Sequence, residues 1–283
     1  FETLAVNREL WSLGGEAHKH FERIASLRPS GQNPSNRLTA EMATPEVVDM
    51  LMGFLVEDLV NSSGMAYTEM AALTRPTELR FLEKTPKNAL RIPFLLKTFP
   101  DARFIFLHRD PRQNISSLMD SWRSGRYVTY PQLPGWQAGQ PWSHLLIPGW
   151  EELRGRPLAE IAARQWLVTN QTILDDLEQL PRERWCAIDY DSLLANTRGE
   201  LQRLCAFAQI IFGPRMHEVA SRPLKPLLPS VSASAMILRR RLAVKFLRSS
   251  SSSQAGISAR GSPSESTIIT STPLLRSIPV RRT

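Results

Sequence analysis

The sequence lacks any apolar run near the roughly 20 residues that a membrane-spanning helix needs, so no transmembrane segment is expected. Cysteine is scarce: Cys186 and Cys205 are the only two in 283 residues. That is too few for a disulfide framework or a four-cysteine zinc site. They read as reduced thiols in a core, and the chain is read as cytoplasmic. No internal repeat is visible, and the phosphate-loop pattern Gly-x-x-x-x-Gly-Lys-[Ser/Thr] is absent. Gly14-Gly15 has no Lys-Ser/Thr after it and reads as a break in a helix. His18-Lys19-His20 places two histidines on different faces of a helix, so no metal site is expected.

Acidic residues are nearly absent from one region. Residues 1–221 carry 24 Lys+Arg against 26 Asp+Glu, whereas 222–283 carry 11 against the single Glu265. The formal net charge of +8 and the isoelectric point near 10.0 therefore describe the tail. That tail holds a serine run, Ser249 to Ser253, and Phe246 as its only aromatic, while all seven tryptophans precede it. Such a composition buries too little apolar surface to offset chain entropy. Residues 226–283 thus read as a mostly disordered basic tail behind a domain at 1–225. Met236 to Leu247 could form a short amphipathic turn. Any attraction to nucleic acid or anionic lipid belongs to the tail, and its arginines lack the interleaved aromatics that base recognition uses.

What is present alternates strand and helix. Phe1 to Ser26 reads as a first helix; because Phe1-Glu-Thr-Leu-Ala has no cap before it, a preceding segment is expected. Thr44-Pro45 is a helix start, with apolar positions continuing to Asn61. Leu79–Leu82 is a short strand, and a helix over 87–98 holds Pro93 in its first turns. Residues 103–107 (RFIFL) form the clearest buried strand, and Asp110-Pro111 opens a helix to Trp122. Residues 124–156 are irregular and rich in Pro, Gly and Trp. A long helix follows from Pro157 to Leu180, then a strand from Trp185 to Ile188. Thr197-Arg-Gly-Glu200 fits a capping box for a helix to Ala208. This alternation argues for an α/β fold with a parallel sheet and helices on both faces, with ligands at the carboxyl ends of the strands.

All the chemistry-bearing motifs fall at strand ends. Arg109 follows the 103–107 strand at a helix N-terminus, where backbone N–H groups and the helix dipole favour an anion. A guanidinium grips phosphate through paired hydrogen bonds, and Ser117 lies eight residues on. Arg109 could equally cap the helix or pair with Asp110. Glu83-Lys84 is either a base with a cationic donor or a solvated ion pair. Trp136, Trp142, Trp150 and His144 could line a pocket for a flat ligand such as a sugar, or fill gaps in a core.

The stretch from Glu83-Lys-Thr-Pro through Phe99-Pro-Asp-Ala-Arg-Phe-Ile-Phe-Leu-His-Arg-Asp-Pro-Arg to Ser117 resembles the PAPS-dependent sulfotransferases. So does Ile188-Asp-Tyr190-Asp191-Ser-Leu-Leu, which is similar to the family's Tyr-Glu-Asp-Leu segment. The resemblance covers roughly residues 1–221. It implies a P-loop-NTPase-like three-layer α/β/α fold and sulfuryl transfer from PAPS to a hydroxyl or amine of a small-molecule or carbohydrate acceptor, leaving PAP. It also implies Arg109 and Ser117 on the 3′-phosphate, Tyr190 near the adenine, Glu83 as base and Lys84 as a donor to sulfonate or phosphate. The family's first strand and its 5′-phosphosulfate loop have no counterpart here, as if the copy were incomplete and its turnover in question. The other readings are a nucleotide kinase or NTPase, and a non-catalytic nucleotide binder with a basic tail touching nucleic acid or lipid.

Overall fold

The computed structural model describes residues 10–13, 16–31, 33–61, 63–76, 79–136, 139–222 and 267–273. Gly14-Gly15, the start of the expected first helix, and the tail motifs at 236–253 lie outside these. The chain divides into two compact units, one drawn from 1–106, 173–186 and 267–283, the other from 107–172 and 187–266.

The first unit carries β1 (Leu10–Leu13), α1 (His18–Arg23), α2 (Pro45–Glu57), β2 (Leu59–Val60), β3 (Arg80–Lys84) and α3 (Ile92–Thr98). It also holds the start of β4 (Arg103–His108), whose last two residues belong to the second unit. The second unit continues with α4 (Pro111–Ser124), β5 (Val128–Tyr130), β6 (Trp142–Ser143) and most of α5 (Leu158–Glu178). The chain then passes through β7 (Trp185–Asp189) to α6 (Tyr190–Ala195), α7 (Thr197–Ala208) and α8 (Pro214–Ser221), and β8 (Thr267–Pro273) returns to the first unit.

The sheet order is β2-β1-β3-β8-β4-β7. β1 runs parallel to β3, with Trp11 opposite Phe81 and Ser12 opposite Leu82. Trp11 and Phe81 are buried on one face, where Trp11 meets Tyr67 at 5.7 Å and Phe81 meets Phe99 at 5.5 Å. Ser12 and Leu82 are exposed on the other, as a period of two dictates. β2 runs antiparallel to β1 and β8 antiparallel to β3, so the fold is mixed α/β and the sheet is mixed, not parallel throughout.

Three further expectations are corrected. The helix expected over Phe1–Ser26 contains a strand, Leu10–Leu13, because pairing with β3 buries Trp11; among the described residues of that span, only His18–Arg23 is α-helical. The helix expected to reach Asn61 ends at Glu57, and Leu59 turns into β2 against Leu13. Within the tail expected to be disordered, Thr267–Pro273 forms a strand on β3; its Thr-Ile-Ile-Thr core is the one β-branched run of the tail, and the rest of 226–283 lies outside the described residues.

The local caps follow the sequence closely. The Thr44 hydroxyl accepts from the Val47 N–H, with Pro45 in the first turn of α2. Asp110 caps α4, which stops at Gly125 in the left-handed region (φ 64°), a conformation that suits glycine. At α7 the cap is Asn196, which accepts from the Gly199 N–H, while Thr197 turns its hydroxyl to the Leu193 carbonyl. The capping box expected at Thr197 does not form, and the cap lies one residue earlier, at Asn196. Among the described residues no helix is long and apolar enough to cross a membrane.

In the second unit β5 and β6 form a two-stranded ladder over a cluster of Trp122, Trp142, Leu146, Ile147, Trp150, Leu153 and Ile161. Trp122, Trp136, Trp142 and Trp150 meet at ring distances of 4.9–6.4 Å. Gln165 ties the cluster together: its Oε1 accepts from the Trp122 indole at 3.1 Å, and its Nε2 donates to the Ser143 and Leu145 carbonyls. Trp142 and Trp150 are therefore core, and the reading of these rings as pocket walls does not hold for them.

Candidate active site

At the end of β3 the strand's alternation separates the two expected partners. Glu83 is 5% exposed and turns inward, while the Lys84 side chain is 52% exposed. Glu83 Oε1 accepts from the Ala17 N–H at 3.1 Å and from the Thr85 hydroxyl, and Oε2 accepts from the Asn88 amide. Burial pushes its carboxyl above the usual value, and these three donors oppose that shift. The carboxylate thereby fastens the residue before α1 to the turn after β3. Lys84 instead pairs with the exposed Glu16 at 2.9 Å, a partner the sequence did not single out. The Glu83-Lys84 ion pair expected from adjacency does not form, since neighbouring strand residues face opposite ways.

Two more charged groups near α1 are built into the same unit. Lys87, buried by the turn after β3, reaches Glu22 at 2.8 Å, and burial lowers its ammonium from the ordinary value despite that partner. His20 is 2% exposed and sits 2.9 Å from Asp58, which also takes Lys19.

At the end of β4 the arrangement is different. The Asp110 side chain accepts from the Arg112 and Gln113 N–H groups, and the Asn114 N–H bonds to the Asp110 carbonyl at 3.1 Å. Pro111 has no N–H, so the first-turn donors of α4 are already used. The expectation that backbone N–H groups at this strand end are free for an anion is corrected on that ground. Arg109 Nε donates to Gln113 Oε1 at 2.9 Å, and its guanidinium carbon lies 5.2 Å from the Tyr190 ring centre. That is within cation–π range. Ser117 is exposed on α4, one turn after Gln113 and on the same face. Arg109, Gln113, Ser117 and Tyr190 belong to one unit, and the structure thus joins Arg109 to Tyr190 across about 80 residues of sequence.

The ends of β4 and β7 also meet through His108 and Asp189, whose Nδ1 and Oδ1 lie 3.6 Å apart. Burial lowers the His108 imidazole, with Asp189 acting against that shift. Asp189 has a second task, capping α6 through the Ser192 N–H and hydroxyl. The signal for this contact was present in the sequence, a histidine and an aspartate each closing a strand, but no local rule links them.

A strand that hands an arginine to a polar helix face, beside a tyrosine at the next strand end, can hold a phosphate and a ring together. No curated protein and no solved structure matches the chain. Residues 14–214 do match the model of the sulfotransferase family, and over that span, the greater part of its length, the chain belongs to that family.

Proposed function

We propose that this sulfotransferase-family chain uses PAPS and transfers its sulfuryl group to a hydroxyl or amine of a small-molecule or carbohydrate acceptor. The single observation that carries the reading is the Arg109 arrangement, a guanidinium fixed by Gln113 at 2.9 Å and laid against Tyr190, with the exposed Ser117 hydroxyl on the same helix face. The donor set fits a nucleotide phosphate: a fixed cation, a neutral hydroxyl donor and a ring to pair with adenine. PAPS supplies the activated sulfuryl group. Arg109 and Ser117 hold its 3′-phosphate, and Tyr190 lies against the adenine.

In the first unit Lys84 is the exposed cation suited to a sulfonate. Glu83, expected as base, has its two carboxylate oxygens engaged by Ala17, Thr85 and Asn88, which supports a role in positioning this strand end. Glu16 is the exposed carboxylate beside Lys84, and we assign it the acceptor's proton. Residues 1–225 act as the catalytic part, and the basic tail serves no nucleic-acid recognition.

The test is calorimetric titration of the full chain with PAP, 5′-AMP and ATP. Preference for PAP over 5′-AMP, lost in Arg109→Ala, supports the reading. Preference for ATP would favour a kinase-like activity instead. A folded chain that binds none of the three would overturn the proposal.

A further inference from the structure

Two strand ends meet through two successive pairs of side chains. β4 closes with His108 and continues into Arg109, and β7 closes with Asp189 and continues into Tyr190. All four residues belong to the second unit. The Arg109 guanidinium carbon lies 5.2 Å from the Tyr190 ring centre, and one residue back His108 Nδ1 faces Asp189 Oδ1 at 3.6 Å. Since each member of the first contact is bonded to a member of the second, the separation of His108 from Asp189 constrains that of the guanidinium from the ring.

The 3.6 Å separation is within ion-pair range but longer than a hydrogen bond. Asp189 is held in place from the other side: its Oδ2 accepts from the Ser192 N–H at 2.8 Å and from the Ser192 hydroxyl at 3.0 Å, while Oδ1 faces the imidazole. The carboxylate cannot follow the ring without giving up the cap of α6. Tightening therefore takes a proton on the imidazole, which makes the contact an ion pair. The other charges of this strand end are engaged elsewhere: Arg109 with Gln113 and Tyr190, Asp110 with Arg112 and the first N–H groups of α4. Burial holds the His108 ring below the ordinary histidine value, so it is neutral near pH 7. A further negative charge close by favours its protonation.

We propose that His108 and Asp189 are a positioning pair for the Arg109–Tyr190 contact, and that an anionic nucleotide entering that contact binds together with a proton taken up by the His108 imidazole. The inference rests on the assignment of Arg109 to the nucleotide's 3′-phosphate. Phosphate at Arg109 brings negative charge one residue from the ring, the imidazolium closes on Asp189, and the two strand ends are tied behind the bound group. His108 touches neither phosphate nor adenine and acts through its neighbours. By linkage, affinity rises as pH falls from the bound midpoint of His108 to its lower free midpoint, and is level above the bound one. A rise of about one unit in that midpoint corresponds to a gain of about tenfold at low pH.

The experiment is calorimetric titration of the full chain with PAP at about pH 6 and pH 8, in buffers of different ionisation enthalpy so that protons are counted, with His108→Gln and Asp189→Asn beside the parent. Asparagine caps a helix as aspartate does, so Asp189→Asn removes the charge and keeps the start of α6. The phosphate's own proton, with a pKa of about 6, is common to all three proteins and cancels in the comparison. Expected at the lower pH is an uptake about half a proton larger in the parent than in His108→Gln and an affinity about threefold tighter, both differences vanishing at the higher pH. NMR without ligand reads the pair alone, the His108 ring signal being the one lost in His108→Gln. Its midpoint is expected to drop in Asp189→Asn, and the Arg109 Nε–H signal, displaced by the Tyr190 ring current, to follow that midpoint in the parent and not in His108→Gln. PAP binding with equal proton uptake in parent and His108→Gln would overturn the inference and leave the Arg109 assignment standing. A chain that does not bind PAP overturns that assignment and the proton uptake with it. The positioning pair then stands or falls on the ligand-free signals, and an Arg109 signal indifferent to the His108 midpoint refutes it.

Discussion

The ends of β3 and β4 place charged side chains in opposite circumstances. Glu83 faces inward, and three donors from α1's entry and the following turn use up its oxygens. Arg109 leaves its strand beside a helix whose own N-terminal donors Asp110 has already taken, and it is held from the side by Gln113 and Tyr190. A charge at a strand end thus acts as a structural clamp where backbone and amide donors converge on it. Where a neighbour caps the helix in its place, as Asp110 does, the guanidinium is held by side chains instead. Lys84 adds the control: one residue along from Glu83, it faces solvent and pairs with Glu16.

Substitutions can break this contrast, and the largest effect is expected at Glu83. Glu83→Ala strands two buried side-chain donors and one backbone N–H, so the chain should lose about 3 kcal/mol or more in denaturant unfolding. Full stability in that variant would make Glu83 available for chemistry. Arg109→Ala should leave unfolding nearly unchanged but weaken PAP binding about 10- to 100-fold, the worth of one charge-assisted contact; calorimetry reads both the affinity and the fold. The pH dependence sharpens the comparison further. Because the folded Glu83 carboxyl titrates above 4.5, the native state binds more protons there than the unfolded chain, and its contribution to stability declines as pH rises from about 4.5 through the folded value. The stability difference between parent and Glu83→Gln should follow that decline and then level off, which melting curves across pH 4–8 would show. The smallest change is expected for Lys84→Ala, within about 0.5 kcal/mol in stability because its ion pair is exposed. A large loss there would mean that β3 has no solvent-facing side at its end.

Legibility divides along the same physical line, between local and distant causes. The starts of α2 and α4 were readable because Thr44-Pro45 and Asp110-Pro111 satisfy their own helix ends within three residues. β4 was readable from its apolar run, and α5 from its uninterrupted length. β1 was not, since four residues carry no decisive period and Leu10–Leu13 becomes a strand only through a partner about 70 positions away. Arg109, Ser117 and Tyr190 could be nominated from sequence, but the Gln113 link and the use of the helix donors by Asp110 depend on rotamers. The fate of Glu83 was legible in part: strand alternation alone separates it from Lys84. Two of the three donors that occupy it come from Ala17 and Asn88, which no spacing rule connects. The tail composition hid β8, whose short β-branched run gains its strand character from β3.

The tryptophan cluster of the second unit has an optical consequence. Four indoles with centres 4.9–6.4 Å apart, mostly edge to face, are close enough for their excited states to couple. Their circular dichroism should carry a paired positive and negative band, and their fluorescence should be depolarised by transfer among them even while the protein stays rigid. Trp11 and Trp185 belong to the other unit. The molecule therefore contains a built-in spectroscopic label for one half of its fold, readable without attaching any dye.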